Sequence, residues 1–459
     1  MLGKHDDLLV EISNLLAQGS QSLLIKGPPG SGKTTLALTL FKYLNKHGAC
    51  FYFTAREDIN KIMSLAPLTL QHIPKENIVQ LKLPKHMAFA SIKESIEYLA
   101  FEGKHPLFKK IYNLTKDKTR SFVAIDSINA IEEELGEMSF NSFIKDLAEI
   151  GNANNISFIL TLEDSNTEDI DYLADIVISL RKDYLKDRLV RYLTIQKSRF
   201  SEVKTSFYPF TLYNHTFHTL SVQKPSLTAI SASLELEKFK ARPHEKHKFF
   251  TAMDIFDNLV LNGLLKGSTL LIGFDSRIPL HVRLYPHIII GLNFLFQNLN
   301  VYIIPPISII KDIILRIIPP QVLRKRDTKK TNVNMFTLRP NLTLNDFLEW
   351  NNAHKDDKNY LEIITIMTLE SYLSDKDIIK YVNQTILQAQ KNEGLLLIGC
   401  DIHSKLYQYL SRMVTYWVEI VNYKFNQIMI FNSPQIPTAF LLRPHCDKGY
   451  PQLDTVPIV

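Results

Sequence analysis

Residues Gly27 to Thr35 read GPPGSGKTT, directly after the apolar run SLLIK at Ser22 to Lys26. The pair restricts the fold more than any other feature of the chain. The spacing G-x-x-x-x-G-K-[ST] describes a loop whose backbone N–H groups cradle phosphate oxygens, and it works only between a strand and a helix N-terminus. The run before it has strand character. After it, Leu36, Leu40, Phe41 and Leu44 recur at helical spacing, predicting a helix over Thr34 to Lys46. Gly27, Gly30 and Gly32 allow the backbone angles that turn N–H groups inward, with Pro28, Pro29, Ser31 and Thr35 completing the loop. Lys33 is expected to reach the β- and γ-phosphates as a point charge, and the Thr34 hydroxyl to ligate Mg²⁺. The expected ligand is therefore ATP with Mg²⁺.

Such a loop needs an acidic partner at the carboxyl edge of a buried strand. SFVAID, Ser121 to Asp126, supplies it as Asp126, a second candidate for the metal. Further strands are expected at ACFYFT (Ala49 to Thr54), NIVQLKL (Asn77 to Leu83), ISFILTLE (Ile156 to Glu163), DIVISL (Asp175 to Leu180) and RYLTIQ (Arg191 to Gln196), with helical character over Ile128 to Ile150. Strand and helix alternate, which implies a mostly parallel sheet with helices on both faces. Glu57 follows the second strand, where a carboxylate can orient an attacking water; a solvated helix start would also favour Glu and Asp there. Glu163 ends a strand and is a candidate sensor of the γ-phosphate.

The segment from 216 to 248 is rich in Ser, Thr, Lys, Pro and His, and reads as a linker with a short helix near Leu234 to Lys240. It divides the chain into 1–215 and 249–459. The second part restarts the plan with GSTLLIGFD, NVYIIPP, YLEIITIM, GLLLIGCD and QIMIFN. That recurrence suggests internal duplication, the alternative being two unrelated α/β domains.

The order of the loop, the carboxylate after the second strand, FVAIDS and TLEDS resembles the RecA superfamily, in particular its KaiC-like and RadA-like branch. YLADIVISL (Tyr172 to Leu180) and RYLTIQKSRFSEV followed by YPFTL (Arg191 to Leu212) are similar to KaiC-like segments. The resemblance implies an ATPase in which Lys197 and Arg199 act on the nucleotide of a neighbouring subunit, so that the chain works as a homo-oligomer. Arg56 stands where KaiC proteins carry the first of two glutamates, and Phe200 replaces the glycine after the Lys-x-Arg pair. The shortened lead-in before Gly27 resembles the archaeal GvpD-type proteins, regulators associated with gas-vesicle expression, which implies a regulatory partner protein. DIFDNLVLNGLLKGSTLLIG (Asp254 to Gly273) resembles the KaiC lead-in, yet GFDSRIPLHVR follows it in place of a phosphate loop. YLEIITIM ends without an aspartate, so the second RecA-like lobe is expected to be degenerate.

A chain of 459 residues with 45% hydrophobic and 22% charged residues should fold as two or more domains. The net charge of +6 neither demands nor excludes an acidic partner. VLRKRDTKK (Val322 to Lys330) is the densest basic run, a candidate contact for nucleic acid or an acidic protein and equally a solvated loop. The acidic segment after Glu163 argues against DNA at that place. Cys50, Cys400 and Cys446 lack metal or disulfide spacing, and no clean apolar window of membrane length occurs, so the expected location is the cytoplasm. A regulatory ATPase leads; a DNA repair ATPase and a scaffold that only binds ATP are the competing readings.

Overall fold

The computed structural model describes residues 7–55, 59–60, 73–81, 105–135, 137–163, 168–199, 206–219, 239–306, 332–354, 356–424, 426–433, 435–447 and 450–459. Two compact units result, Met1–Ser221 with Ile458–Val459, and Val222–Pro457. Among the described residues no helix is long and apolar enough to cross a membrane.

The first unit is built on strands β1 (Ser22–Lys26), β2 (Ala49–Thr54), β3 (Ile78–Gln80), β4 (Ser121–Asp126), β5 (Ile156–Leu162), β6 (Ile176–Leu185), β7 (Arg188–Ser198), β8 (Phe207–Thr211) and β9 (His218–Thr219). They form one sheet in the order β3-β2-β4-β5-β1-β6-β7-β8-β9. Pairing is parallel from β3 to β6 and antiparallel from β6 to β9. The parallel strands are covered on both faces, which is why they read as unbroken apolar runs. Side chains still alternate. Leu23 and Ile25 join Phe122, Ala124 and Tyr52 in one core, while Leu24 joins Val123, Ile125, Phe51 and Phe53 in the other. Helices α1 (Asp7–Gln18) and α2 (Lys33–Leu44) contribute Leu9, Leu16, Leu36, Leu40 and Phe41 to the first core. Helices α3 (Pro106–Thr115), α4 (Asn129–Leu135) and α5 (Glu137–Asn154) contribute Phe108, Ile131, Phe140 and Phe143 to the second. Burying each such aromatic is worth about 1.5–3 kcal/mol.

Several expected boundaries move. The stretch from Ile128 to Ile150 is two helices, α4 and α5. β3 is shorter than expected. β6 and β7 are longer, because Lys186 and Asp187 both take positive φ (48° and 61°) and close a two-residue hairpin turn. The proposed linker carries structure at its start, where β9 pairs with β8. Its expected helix lies mainly outside the described residues, and Phe239 and Lys240 are not helical.

The second unit holds β10 (Lys248–Phe249) and β11 (Leu264–Leu265) as a small pair. Its main sheet comprises β12 (Thr269–Phe274), β13 (Val301–Ile304), β14 (Val333–Met335), β15 (Leu361–Thr365), β16 (Leu395–Asp401), β17 (Tyr416–Tyr423), β18 (Asn426–Phe431), β19 (Ala439–Asp447) and β20 (Tyr450–Ile458). The order is β14-β13-β15-β16-β12-β17-β18-β19-β20, strand for strand that of the first unit. Both units are RecA-like sheets. The helix after β12, Leu280–Phe296, is termed α6 and packs Tyr285, Ile289 and Ile290 on the face corresponding to that of α2. The expected strand YLEIITIM stops at Thr365, and Ile366–Glu370 turns into a short helix.

Register relates the two sheets residue by residue. Ile25 pairs with Thr161 and Ile125 with Leu160; Ile272 pairs with Gly399 and Ile364 with Ile398. Thr365 therefore stands at the place of Asp126, Gly399 at that of Thr161, and Phe274 at that of Gly27. The loops from Gly27 to Lys33 and from Phe274 to Leu280 have the same length.

Candidate nucleotide-binding site

The loop after β1 leads straight into α2, whose N-cap is Gly32. Gly30 (φ 69°) and Gly32 (φ 106°) take left-handed angles that a side chain disfavours. Gly27 is fixed by space, since a Cβ there would stand 2.6 Å from Leu180 O and 2.7 Å from Ser31 Oγ. The first helical hydrogen bond, Leu36 N–H to Gly32 O at 2.9 Å, leaves the earlier amides of the turn facing the loop. Ser31 Oγ is buried among them with no hydrogen-bond partner. Ser31 N–H itself donates to Pro28 O at 3.1 Å, and the glycine turn around it forms a cradle that fits an anion.

Lys33 Nζ lies inside the loop, donating to Gly27 O at 2.6 Å and to Pro28 O at 3.1 Å. Thr34 Oγ1 donates to Asp126 Oδ2 at 2.6 Å, so the two expected metal residues meet at the end of β4. Thr35 lies beside Thr34 in the first turn of α2, its carbonyl accepting from Thr39 Oγ1. The hydroxyl and carboxylate oxygens are the hard donors that Mg²⁺ takes.

Two further residues hold Asp126. Tyr52 OH donates to Oδ2 and Thr161 Oγ1 to Oδ1, both at 2.5 Å. The sequence pattern gave no sign of either, since in FYFT and FILTL each reads as core. The cue was position: β2 and β5 flank β4, and Tyr52 and Thr161 fall near its carboxyl end. Ala55 N–H donates to Asp126 O at 2.8 Å, bringing the exit of β2 to the same edge. Glu57, three residues from Thr54, lies outside the described residues, as does the basic run from Val322 to Lys330. Glu163 follows β5 with its N–H bonded to Asn129 Oδ1 at 2.7 Å, and Gly27 N–H donates to the carbonyl of Leu162 beside it.

Lys197 and Arg199 stand apart from the loop. Lys197 Nζ donates to Asp171 O at 2.6 Å and Tyr172 O at 3.1 Å. Arg199 Nη2 donates to Tyr172 O at 2.5 Å, and Nη1 meets Asp175 Oδ1 at 3.4 Å. Burial, and then the Arg199 charge, lower the Lys197 ammonium below its ordinary value. Another pair of cations touches the outside of the loop: Lys182 Nζ donates to Pro29 O and Arg191 Nη1 to Gly30 O, each at 3.1 Å. A peptide's C=O and N–H point oppositely, so holding Pro29 O outward aims the Gly30 N–H inward. Sequence reasoning passed over both, because on an antiparallel hairpin they read as surface charge.

Residues 14–223 match a family model described as "ATPase: KaiC". The chain is similar to Protein GvpD1 of Halobacterium salinarum, 24% identical over 300 residues, which is 63% of this chain and 54% of that protein. It is similar also to Protein GvpD2 of the same organism, 23% identical over 295 residues, covering 62% and 58%. The chain thus spans about half the length of the curated relatives it matches.

Proposed function

We propose that this chain, whose residues 14–223 match the KaiC ATPase family model, is a regulatory ATPase with its nucleotide site at Gly27 to Thr35. The observation that carries the reading is the Thr34–Asp126 contact of 2.6 Å at the mouth of a glycine cradle. A triphosphate displaces Lys33 Nζ from the carbonyl oxygens of Gly27 and Pro28, and the ammonium then pairs with the β- and γ-phosphates. The Gly30, Gly32 and Lys33 amides bind phosphate oxygens through the α2 N-terminus. Thr34 and Asp126 would hold Mg²⁺, and Tyr52 and Thr161 keep the Asp126 carboxylate turned toward it. Bound Mg²⁺ supplies neutralisation of charge on the phosphoryl group being transferred. Glu57 orients the attacking water, and Glu163 reads the state of the γ-phosphate.

Lys197 and Arg199 complete the site of a neighbouring copy in a homo-oligomer. While they sit on Asp171, Tyr172 and Asp175 of their own chain, basal turnover is slow. Binding and hydrolysis then set the loops that follow Asp126 and Glu163, and a partner protein reads them.

Phosphate release by wild type and Lys33→Ala tests the site. Turnover is expected to fall to background in the variant while its circular dichroism is unchanged. Equal rates in the two proteins reject the assignment.

A further inference from the structure

The second lobe turns the corresponding crevice into something else. Between α6 and the ends of β12, β13, β15 and β16 lies a cavity of about 110 Å³. Leu284, Ile288, Leu292, Ile303, Ile363 and Met367 are among the apolar residues of its wall, and Asp401 stands at its edge. Thr365 lines it too, so it occupies the end of the crevice where the first lobe places Asp126. Protein cores rarely leave voids much larger than a water. A closed apolar cavity of about 150 Å³ holds benzene; this one is smaller but partly open, so a single ring can enter with its edge in the mouth.

Two details argue that the space is kept open. Gly291 sits in the interior of α6 and lines the cavity. A Cβ there would meet nothing nearer than Ile363 Cδ1 at 3.9 Å, so no neighbour requires glycine. Glycine nevertheless weakens a helix interior relative to alanine. The second detail is His287, buried in the same wall. Its Nδ1 lies 3.0 Å from Arg283 O, an acceptor, so Nδ1 carries the proton. Burial holds the imidazole down at about 4, hence neutral near pH 7. Nε2 is left as a bare acceptor with no hydrogen bond among the described residues, and a Cβ on Gly399 would stand 3.0 Å from it. Arg283, also on the wall, uses its guanidinium on the carbonyl oxygens of Ile278 and Ser276.

We propose that this cavity binds a small uncharged aromatic alcohol of phenol size, its ring against the apolar wall and its hydroxyl donating to His287 Nε2. The second lobe is then a ligand-sensing module, on grounds independent of the nucleotide reading.

Calorimetric titration of the full chain with phenol, and with toluene as the same shape lacking the donor, tests it. Phenol is expected to saturate one site at millimolar concentration or tighter. Toluene should bind about tenfold more weakly, the worth of one hydrogen bond. Gly291→Leu fills the cavity and should abolish both, while His287→Leu should bring the two affinities together. Gly291→Ala adds one methyl with little strain, and should weaken phenol several-fold even if the leucine variant does not fold. No saturable phenol binding, or unchanged affinity in folded Gly291→Ala, overturns the site. Equal affinity of wild type for phenol and toluene overturns the role of His287.

Discussion

Gly27 to Lys33 and Phe274 to Leu280 occupy the same place in two sheets of the same strand order, yet only the first loop carries the glycine-lysine spacing of a phosphate loop. In the second, Arg277 stands at the position of Gly30, Pro279 at that of Gly32 and Leu280 at that of Lys33. Pro279 lacks the N–H that Gly32 supplies, and the Arg277 N–H, at the place of Gly30, is engaged by the Asp275 carboxylate. The Asp275 carboxylate, buried in the loop, is paired with the Arg277 guanidinium, where the first loop has Pro28 and Gly30. Thr365 replaces Asp126, and Ile303 falls at the position of Tyr52. What persists between the lobes is the alternation of apolar faces, which many side chains satisfy. What differs is a handful of polar atoms, each with one permissible position. Fold and phosphate chemistry are therefore separable here.

The sharpest way to break the comparison is to count nucleotides. Equilibrium dialysis with MgATP should give one per chain, and Lys33→Ala should weaken that site by about two orders of magnitude, roughly 3 kcal/mol for two charge-assisted contacts. Leu280→Lys combined with Thr365→Asp returns the missing charged groups to a loop of the right length. Stoichiometry should still be one, since Pro279 and Asp275 remain. A second bound nucleotide in that variant would show that side-chain charge, rather than the supply of backbone donors, separates the lobes.

A smaller effect is expected from moving the first lobe one step toward the second. Tyr52→Phe deletes a hydroxyl that Asp126 accepts and leaves the ring in the core. A hydrogen bond to a charged group is worth about 1.5–3 kcal/mol. The Mg²⁺ concentration for half-maximal turnover should rise about tenfold, with ATP affinity in EDTA unchanged. If the magnesium requirement stays put, Tyr52 holds the core together and has no part in orienting the carboxylate.

The sequence made the loop, β1, β2, β4 and the Asp126 edge legible, because local residue order alone specifies a glycine turn between an apolar run and a helix. Tyr52 and Thr161 were not legible. Their role depends on β2 and β5 flanking β4, a long-range pairing that no local pattern states. The split of Ile128 to Ile150 into two helices was missed since its apolar spacing runs on through the break. In the second lobe, β17, β19 and β20 went unassigned, and YLEIITIM was extended past Thr365. An apolar run of that kind suits a strand or a helix, and tertiary packing decides. The repeated order of the two sheets could be suspected from recurring runs, but only the register matches Thr365 to Asp126.

The smallest effect concerns the charge built into the second loop. Arg277 donates to Asp275 through Nε and Nη2, and this holds the Asp275 carboxyl down at about 2 against an ordinary 3.8. A carboxyl depressed in the folded state adds stability above its unfolded value and loses it as pH falls toward the folded one. The contribution is thus complete above about pH 4 and fades toward pH 2. The Arg277 side chain is 69% exposed, so solvent screens the pair and the effect stays modest. Between about pH 5 and pH 2 the melting temperature of wild type should fall by about 2 °C more than that of Asp275→Asn. No counterpart exists at the Gly27 loop, where the residue at the Asp275 position is Pro28. Parallel melting curves for the two proteins across that interval would mean that Asp275 anchors its loop through backbone donors alone, with the guanidinium contributing nothing.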